Sequence, residues 1–312
     1  MLLATSLWAR TKRNDRVLND RDYLMSPHVH FDHGSWEFPV SLTLILFLVA
    51  SLYLRGWISV RAGSATAVPA WKVTSFLLGL LLIWTAWGSP LALYDHSLLT
   101  AHMMKHLLLM TFAPPLLLLG EPLKMFWHVM PRFARNILGH MSRQPFVHRM
   151  TRTATRPALC LIVSTLTLVA WHLPALFALC VHSEIWHTVE QITFFGAGLL
   201  FWWPVIQPWP STSTSAGWST LLYLFLATLP CDILSGFLVF SDRVAYPVYL
   251  SAPRMYGFSI LQDQQCAAAL MWTCVTLIYL VPAAIISTRL LAPGTSSGGA
   301  VPQSDRRTLE VV

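Results

Sequence analysis

His102 and His106 are the strongest chemical signal in this chain. Four residues apart on a helix, they project from one face, about 6 Å apart along the axis. Two imidazoles so placed can share one metal ion; the same spacing also suits a pair that solvates a helix end. His187 and Glu190 stand three apart and share a face in the same way. His172, Asp263 and Gln264 lie at the ends of other apolar stretches, as do Asp95, His96 and His182. Asp232 sits inside one. Asp263 is read either as a carboxylate that binds the metal or orients a ligand histidine by accepting its second ring N–H, or as the N-cap of its own helix.

Neutral imidazole suits Cu, Zn, Fe or Ni, and thioether sulfur adds a preference for Cu(I). Met103, Met104 and Met110 flank the histidine pair, and Met271 lies in a later apolar stretch. They tilt the expectation toward copper, with zinc allowed. Calcium or magnesium would want more carboxylates. Two other readings stay open: haem held by histidines of different helices, and a proton relay through His and Asp. HVHFDH near the N-terminus (His28, His30, Asp32, His33) is either a weak metal binder or a solvated linker. Nothing supports a nucleophilic enzyme: there is no P-loop, GxGxxG or CxxC. The five cysteines form no disulfide or zinc-finger spacing and read as small hydrophobes.

The elements that must position these groups follow from composition. Of 312 residues, 55% are hydrophobic and 11% charged, and the mean hydropathy is +0.55. A soluble domain has about a quarter of its residues charged, so a soluble globule, a disordered chain and a collagen are all excluded. The net charge of +7 is then a topology and lipid signal, and nucleic acid is set aside. The start, MLLATSLWA, precedes its basic residues and is too short for a signal-peptide core, so the first span is expected to direct insertion.

A helix crosses the hydrocarbon core with about 20 apolar residues. Seven stretches qualify, near 39–57, 73–94, 98–119, 157–178, 185–206, 217–240 and 265–289. The expected fold is all-α, a polytopic seven-transmembrane-helix bundle. Thirteen Lys/Arg fall on one side and seven on the other, which places the N-terminus outside and the C-terminus inside. The expected parts are a polar periplasmic tail 1–38, a membrane domain 39–290 and a flexible cytoplasmic tail 291–312. Segment 120–156 interleaves apolar and basic residues and reads as an interfacial helix on anionic lipid or as a plain basic loop. In this frame the His and carboxylate groups collect at the outer membrane face. Asp232 lies about 12 Å inward of it.

The residues also resemble a known family. AHMMKHLLLMTFAPPLLLLGEP (101–122), WHLPALF (171–177), HSEIWHTVEQITFFGAGLLFWWPVI (182–206), YPVY (246–249) and DQQCAAALMW (263–272) occur in order, after WEFPVSLTLILFLVASLYLRGW (36–57). Together they resemble the CtaG family of seven-span cytochrome c oxidase assembly factors, associated with caa-type haem–copper oxidases. The resemblance covers roughly 36–290. It implies site roles for His102 and His106, His172 (with Leu173 interposed before Pro174), His187 with Glu190, and Asp263 with Gln264 and Gln265. Cys266-Ala267-Ala268 departs from the family's usual Ala-Gly. The metal-ligand set expected is therefore His102, His106, His172, His187, Glu190 and Asp263. His96, His182, Asp232, Gln264 and Met103 are supporting candidates.

The implied function is copper binding or delivery during oxidase maturation, without enzymatic turnover. The implied setting is the bacterial inner membrane, with oxidase subunits and a periplasmic copper donor as partners. A copper permease or a membrane haem protein is the alternative. A permease needs polar groups along the whole path, and here they stop about halfway, above Pro114-Pro115.

Overall fold

The computed structural model describes residues 36, 38–63, 68–95, 97–206, 217–251 and 257–291. The expectations for both tails, for His28, His30 and His33, and for His96 lie outside these residues. Among the described residues every regular element is helical. In a bilayer this is the economical solution, because a helix satisfies its own backbone hydrogen bonds where no water can.

The first two spans are α1 (Val40–Gly63) and α2 (Ala70–Gly88). The expectation that the second runs to residue 94 is corrected. Ser89 precedes Pro90 and is extended (φ −88°, ψ 166°), so the helix stops at Gly88. A single turn, α3 (Leu91–Tyr94), follows.

The third span is composite. It opens as α4 (Leu99–His106), widens into a π-helical stretch (Leu107–Phe112) and closes as α5 (Ala113–Leu119). The irregularity has a cause: Pro114 and Pro115 have no N–H to give the carbonyls of Met110 and Thr111. Glycine then exploits the widened turn. A Cβ on Gly198 would lie 2.6 Å from the Met110 carbonyl oxygen, so only glycine lets the neighbouring helix approach this closely.

Three short helices follow, α6 (Pro122–Val129), α7 (Arg132–Arg143) and α8 (Pro145–Ala154). The fourth span, α9 (Pro157–Trp171), is shorter than the expected 157–178 and is corrected accordingly. Leu173, held extended (φ −68°, ψ 129°) before Pro174, ends it, and α10 (Pro174–His182) restarts the chain in a new direction. The last spans are α11 (Glu184–Ile206), α12 (Gly217–Val239) and α13 (Ile260–Leu291). A short 3-10 turn, Pro247–Ser251, lies between the last two. Among the described residues six helices are long and apolar enough to cross a membrane, or up to seven if α8 and α9, which meet at a 60° bend, count as one span. The chain is therefore a multi-pass helical membrane protein.

The third span is the axis of the bundle. In its most apolar stretch 67% of residues are buried, against 17% in α1 and in α13. It packs against α2, α11 and α13. The outer helices turn Leu44, Phe47, Ile162, Phe225, Ile233 and Leu277 outward. Such an apolar rim would be a liability in water and is the expected face toward lipid.

Candidate metal centre

The polar end of the bundle is organised by a contact between distant parts of the chain. Asp263, in the first turn of α13, does not cap its own helix. Its carboxylate accepts the main-chain N–H of Leu99 (2.7 Å) and Thr100 (3.2 Å) and the Thr100 hydroxyl (2.6 Å). These are free donors at the start of α4, so Asp263 caps the helix that carries the histidine pair. The cap sets where His102 and His106 begin.

Both histidines are buried, at 3% and 6% exposure. Their Nε2 atoms are 2.7 Å apart. Glu190 of α11, 1% exposed, places Oε1 3.5 Å from Nε2 of His102 and 3.3 Å from Nε2 of His106. Three donor atoms thus face one point. For a tetrahedral ion with bonds of about 2.0–2.1 Å, neighbouring donors sit roughly 3.3 Å apart. The two carboxylate distances already match, and the imidazoles need open by only about half an ångström. At 2.7 Å the two Nε2 atoms lie within hydrogen-bond distance of each other. Phe177 lies edge-on to the His102 ring at 5.0 Å, and Phe194 lies 4.3 Å from the ring of His106.

A second set adjoins the first. His187, one turn before Glu190 on α11, sits 3.4 Å from Oδ2 of Asp95 and stacks on His102 at 5.8 Å. Its Nε2 is also 2.7 Å from the side-chain nitrogen of Gln191. Among the described residues two triads bring their ligand atoms within 4.8 Å: His102–His106–Glu190 and Asp95–His102–His187. His102 belongs to both. Asp95 in turn holds the buried ammonium of Lys105. Tyr249, outside the spans, donates its hydroxyl to the Asp95 carbonyl at 2.8 Å. Burial and the charge of Asp95 push that hydroxyl well above its ordinary pKa, so it remains a donor.

Of the residues the sequence singles out, His102, His106, His187 and Glu190 come together. Asp263 belongs to neither triad and is engaged in the cap. Gln264 is engaged in the turn after α12: its oxygen accepts the Ala245 N–H (2.7 Å) and its nitrogen donates to the Arg243 carbonyl (3.2 Å). His172 is buried at the end of α9, where its Nδ1 donates to the Leu168 carbonyl (2.7 Å). It belongs to neither triad but lines, together with His106, a cavity beside the first one. Met103 lines the same cavity. His182 is exposed, and Asp232 is half-buried on α12, outside both triads. Missing from the expected ligand set are Asp95, read there only as a polar group at the end of an apolar stretch, Lys105 and Gln191. One signal pointed to the first two: a lysine inside a span must find a carboxylate, and Asp95 lies ten residues upstream.

Fold and site together define a multi-pass helical membrane protein with a buried imidazole–carboxylate centre at one end of the bundle. The sequence profile of the cytochrome c oxidase caa3 assembly factor family matches residues 51–292. The chain belongs to that family. It is also similar to uncharacterized proteins of Mycobacterium bovis and Mycobacterium tuberculosis, each 24% identical over 264 residues, covering 81% of this chain and 39% of theirs. A Mycobacterium leprae protein is 23% identical over 270 residues, with 82% and 39% covered. The chain thus spans about two fifths of the length of these relatives. No solved structure matches it significantly.

Proposed function

We propose that this protein holds or passes copper at the periplasmic face of a bacterial inner membrane while a haem–copper oxidase is matured, with no turnover of its own. The observation that carries this reading is the convergence of His102, His106 and Glu190 on one buried point. Buried polar groups are costly unless they are used, and ionisable residues inside spans mark function. Copper is cargo here. His102 and His106 bind it through Nε2, and Glu190 supplies the balancing charge. Asp95 and His187 form the neighbouring position to which His102 can turn. Oxidase subunits and a periplasmic copper donor are the partners. The excess of Lys/Arg on the opposite side supports the orientation.

On the opposite face, α7 and α8 expose Phe133, Ile137, Phe146 and Met150 beside Arg135, Arg149 and Arg152. That pattern suits helices lying on an anionic leaflet. The test is metal analysis and an optical spectrum of the purified protein, alongside His102→Ala/His106→Ala. Near-stoichiometric copper, lost in the double variant, is expected. A haem Soret band, or metal retained by the double variant, overturns the reading.

A further inference from the structure

The charges around the centre have a definite sum. The three imidazoles are neutral when they bind a metal. Glu190 and Asp95 bring two negative charges, and Lys105 brings one positive, paired to Asp95 in the buried interior. The sum is unchanged if the proton moves within the Lys105–Asp95 pair. Asp263 is set against the N-terminus of α4, whose N–H groups and dipole balance it. Glu184 and Arg243 are exposed. The centre therefore carries one net negative charge.

A monovalent cation makes such a site neutral. A divalent cation leaves it positive in a low-dielectric interior, where an uncompensated charge is most costly. Among monovalent ions, sodium and potassium want oxygen ligands. Imidazole with thioether nearby selects Cu(I). A second observation agrees with this. The cavity just inside the cluster is lined by the thioethers of Met103, Met110 and Met271, by Cys231, and by the rings of His106 and His172. Nε2 of His172 and Nδ1 of His106 are buried with no hydrogen-bond partner among the described residues. At roughly 40 Å³ it has room for a few water molecules. The surroundings of the centre on this side are soft and uncharged.

We propose that Lys105 is the specificity-determining residue of the centre: by cancelling Asp95 it leaves one negative charge, which a cuprous ion neutralises and a divalent ion does not. The proposal rests on the copper-binding reading above. Lys105 also cancels the charge that Asp95 brings to the Asp95–His102–His187 triad, a charge that a divalent ion would favour.

The experiment measures Cu(I), Ag(I) and Zn(II) affinities of the full-length protein in detergent by competition with chromophoric chelators. Ag(I) serves as a redox-inert monovalent probe. The wild type is expected to take Cu(I) and Ag(I) in preference to Zn(II). Lys105→Met is expected to shift that preference toward Zn(II) by about tenfold or more. Asp95→Asn/Lys105→Met, which restores the net charge, is expected to restore the preference, and Lys105→Arg to retain it. A Lys105→Met protein with the wild-type preference overturns the proposal. So does a wild type that takes Zn(II) but neither Cu(I) nor Ag(I), a result that needs no variant to fold. A wild type that binds no metal at all overturns the metal reading of the site itself, which separates the two failures.

Discussion

Replacing Asp263 by asparagine tests how the centre is positioned. Each carboxylate oxygen of Asp263 accepts a main-chain N–H at the start of α4, and one also accepts the Thr100 hydroxyl. Asparagine keeps one acceptor and turns an NH2 group toward the other donor. One main-chain N–H then faces a like dipole, at a cost of about 1–3 kcal/mol for a buried unsatisfied group. Asp263→Ala leaves both donors unmet and should cost twice that, roughly 2–6 kcal/mol. Thr100→Val removes only the hydroxyl and should cost about 1 kcal/mol. Thermal unfolding of the purified protein in detergent should therefore rank wild type, Thr100→Val, Asp263→Asn and Asp263→Ala from most to least stable. Copper affinity should fall in the same order, because His102 begins less than a turn after the capped residues. The capping argument is refuted if Asp263→Asn unfolds like the wild type yet loses copper. That pattern would make the carboxylate a ligand.

Glu190→Gln should keep the fold and lower copper affinity at least about tenfold, since it removes the charge facing both Nε2 atoms; isothermal competition titration reads it. His187→Ala should weaken copper binding less than His106→Ala, because His187 shares only the second triad; the same titration ranks them. Gly198→Ala should destabilise by about 1–3 kcal/mol, because its Cβ would press on the Met110 carbonyl; equal unfolding temperatures would contradict the close approach of α11. A cysteine at Ser183 should be labelled by an impermeant maleimide from the periplasmic side, and one at Ser142 only after the inner membrane is opened. The reverse pattern would invert the orientation and place the centre in the cytoplasm.

Much of this architecture is legible in the sequence. Apolar stretches of about 20 residues have one solution in a bilayer, so the positions of α1, α11 and α12 follow from composition. Helical periodicity likewise pairs His102 with His106, and His187 with Glu190. Two boundaries were legible only through proline. Ser89 before Pro90 and Leu173 before Pro174 end helices inside apolar runs that a hydropathy count carries through.

Periodicity carries no information about which helix faces which. Glu190 meets the imidazoles of α4 across more than eighty residues of chain, and Asp263 reaches Leu99 across 164. Both meetings depend on α11 and α13 packing against the third span. Gly198 permits that approach on one side, and the Asp263 cap fixes it on the other. From position alone Asp263 and His187 look alike, each near the start of a span at the same membrane face. Tertiary packing gives one to a helix terminus and the other to the centre. A carboxylate goes where donors are left unpaired, and α4 begins with unpaired donors at the place Asp263 reaches. Residue types and spacing thus determined that a membrane bundle would gather imidazoles and carboxylates at one end. Packing alone decided which of them share a point, because that choice rests on contacts between helices far apart in the chain.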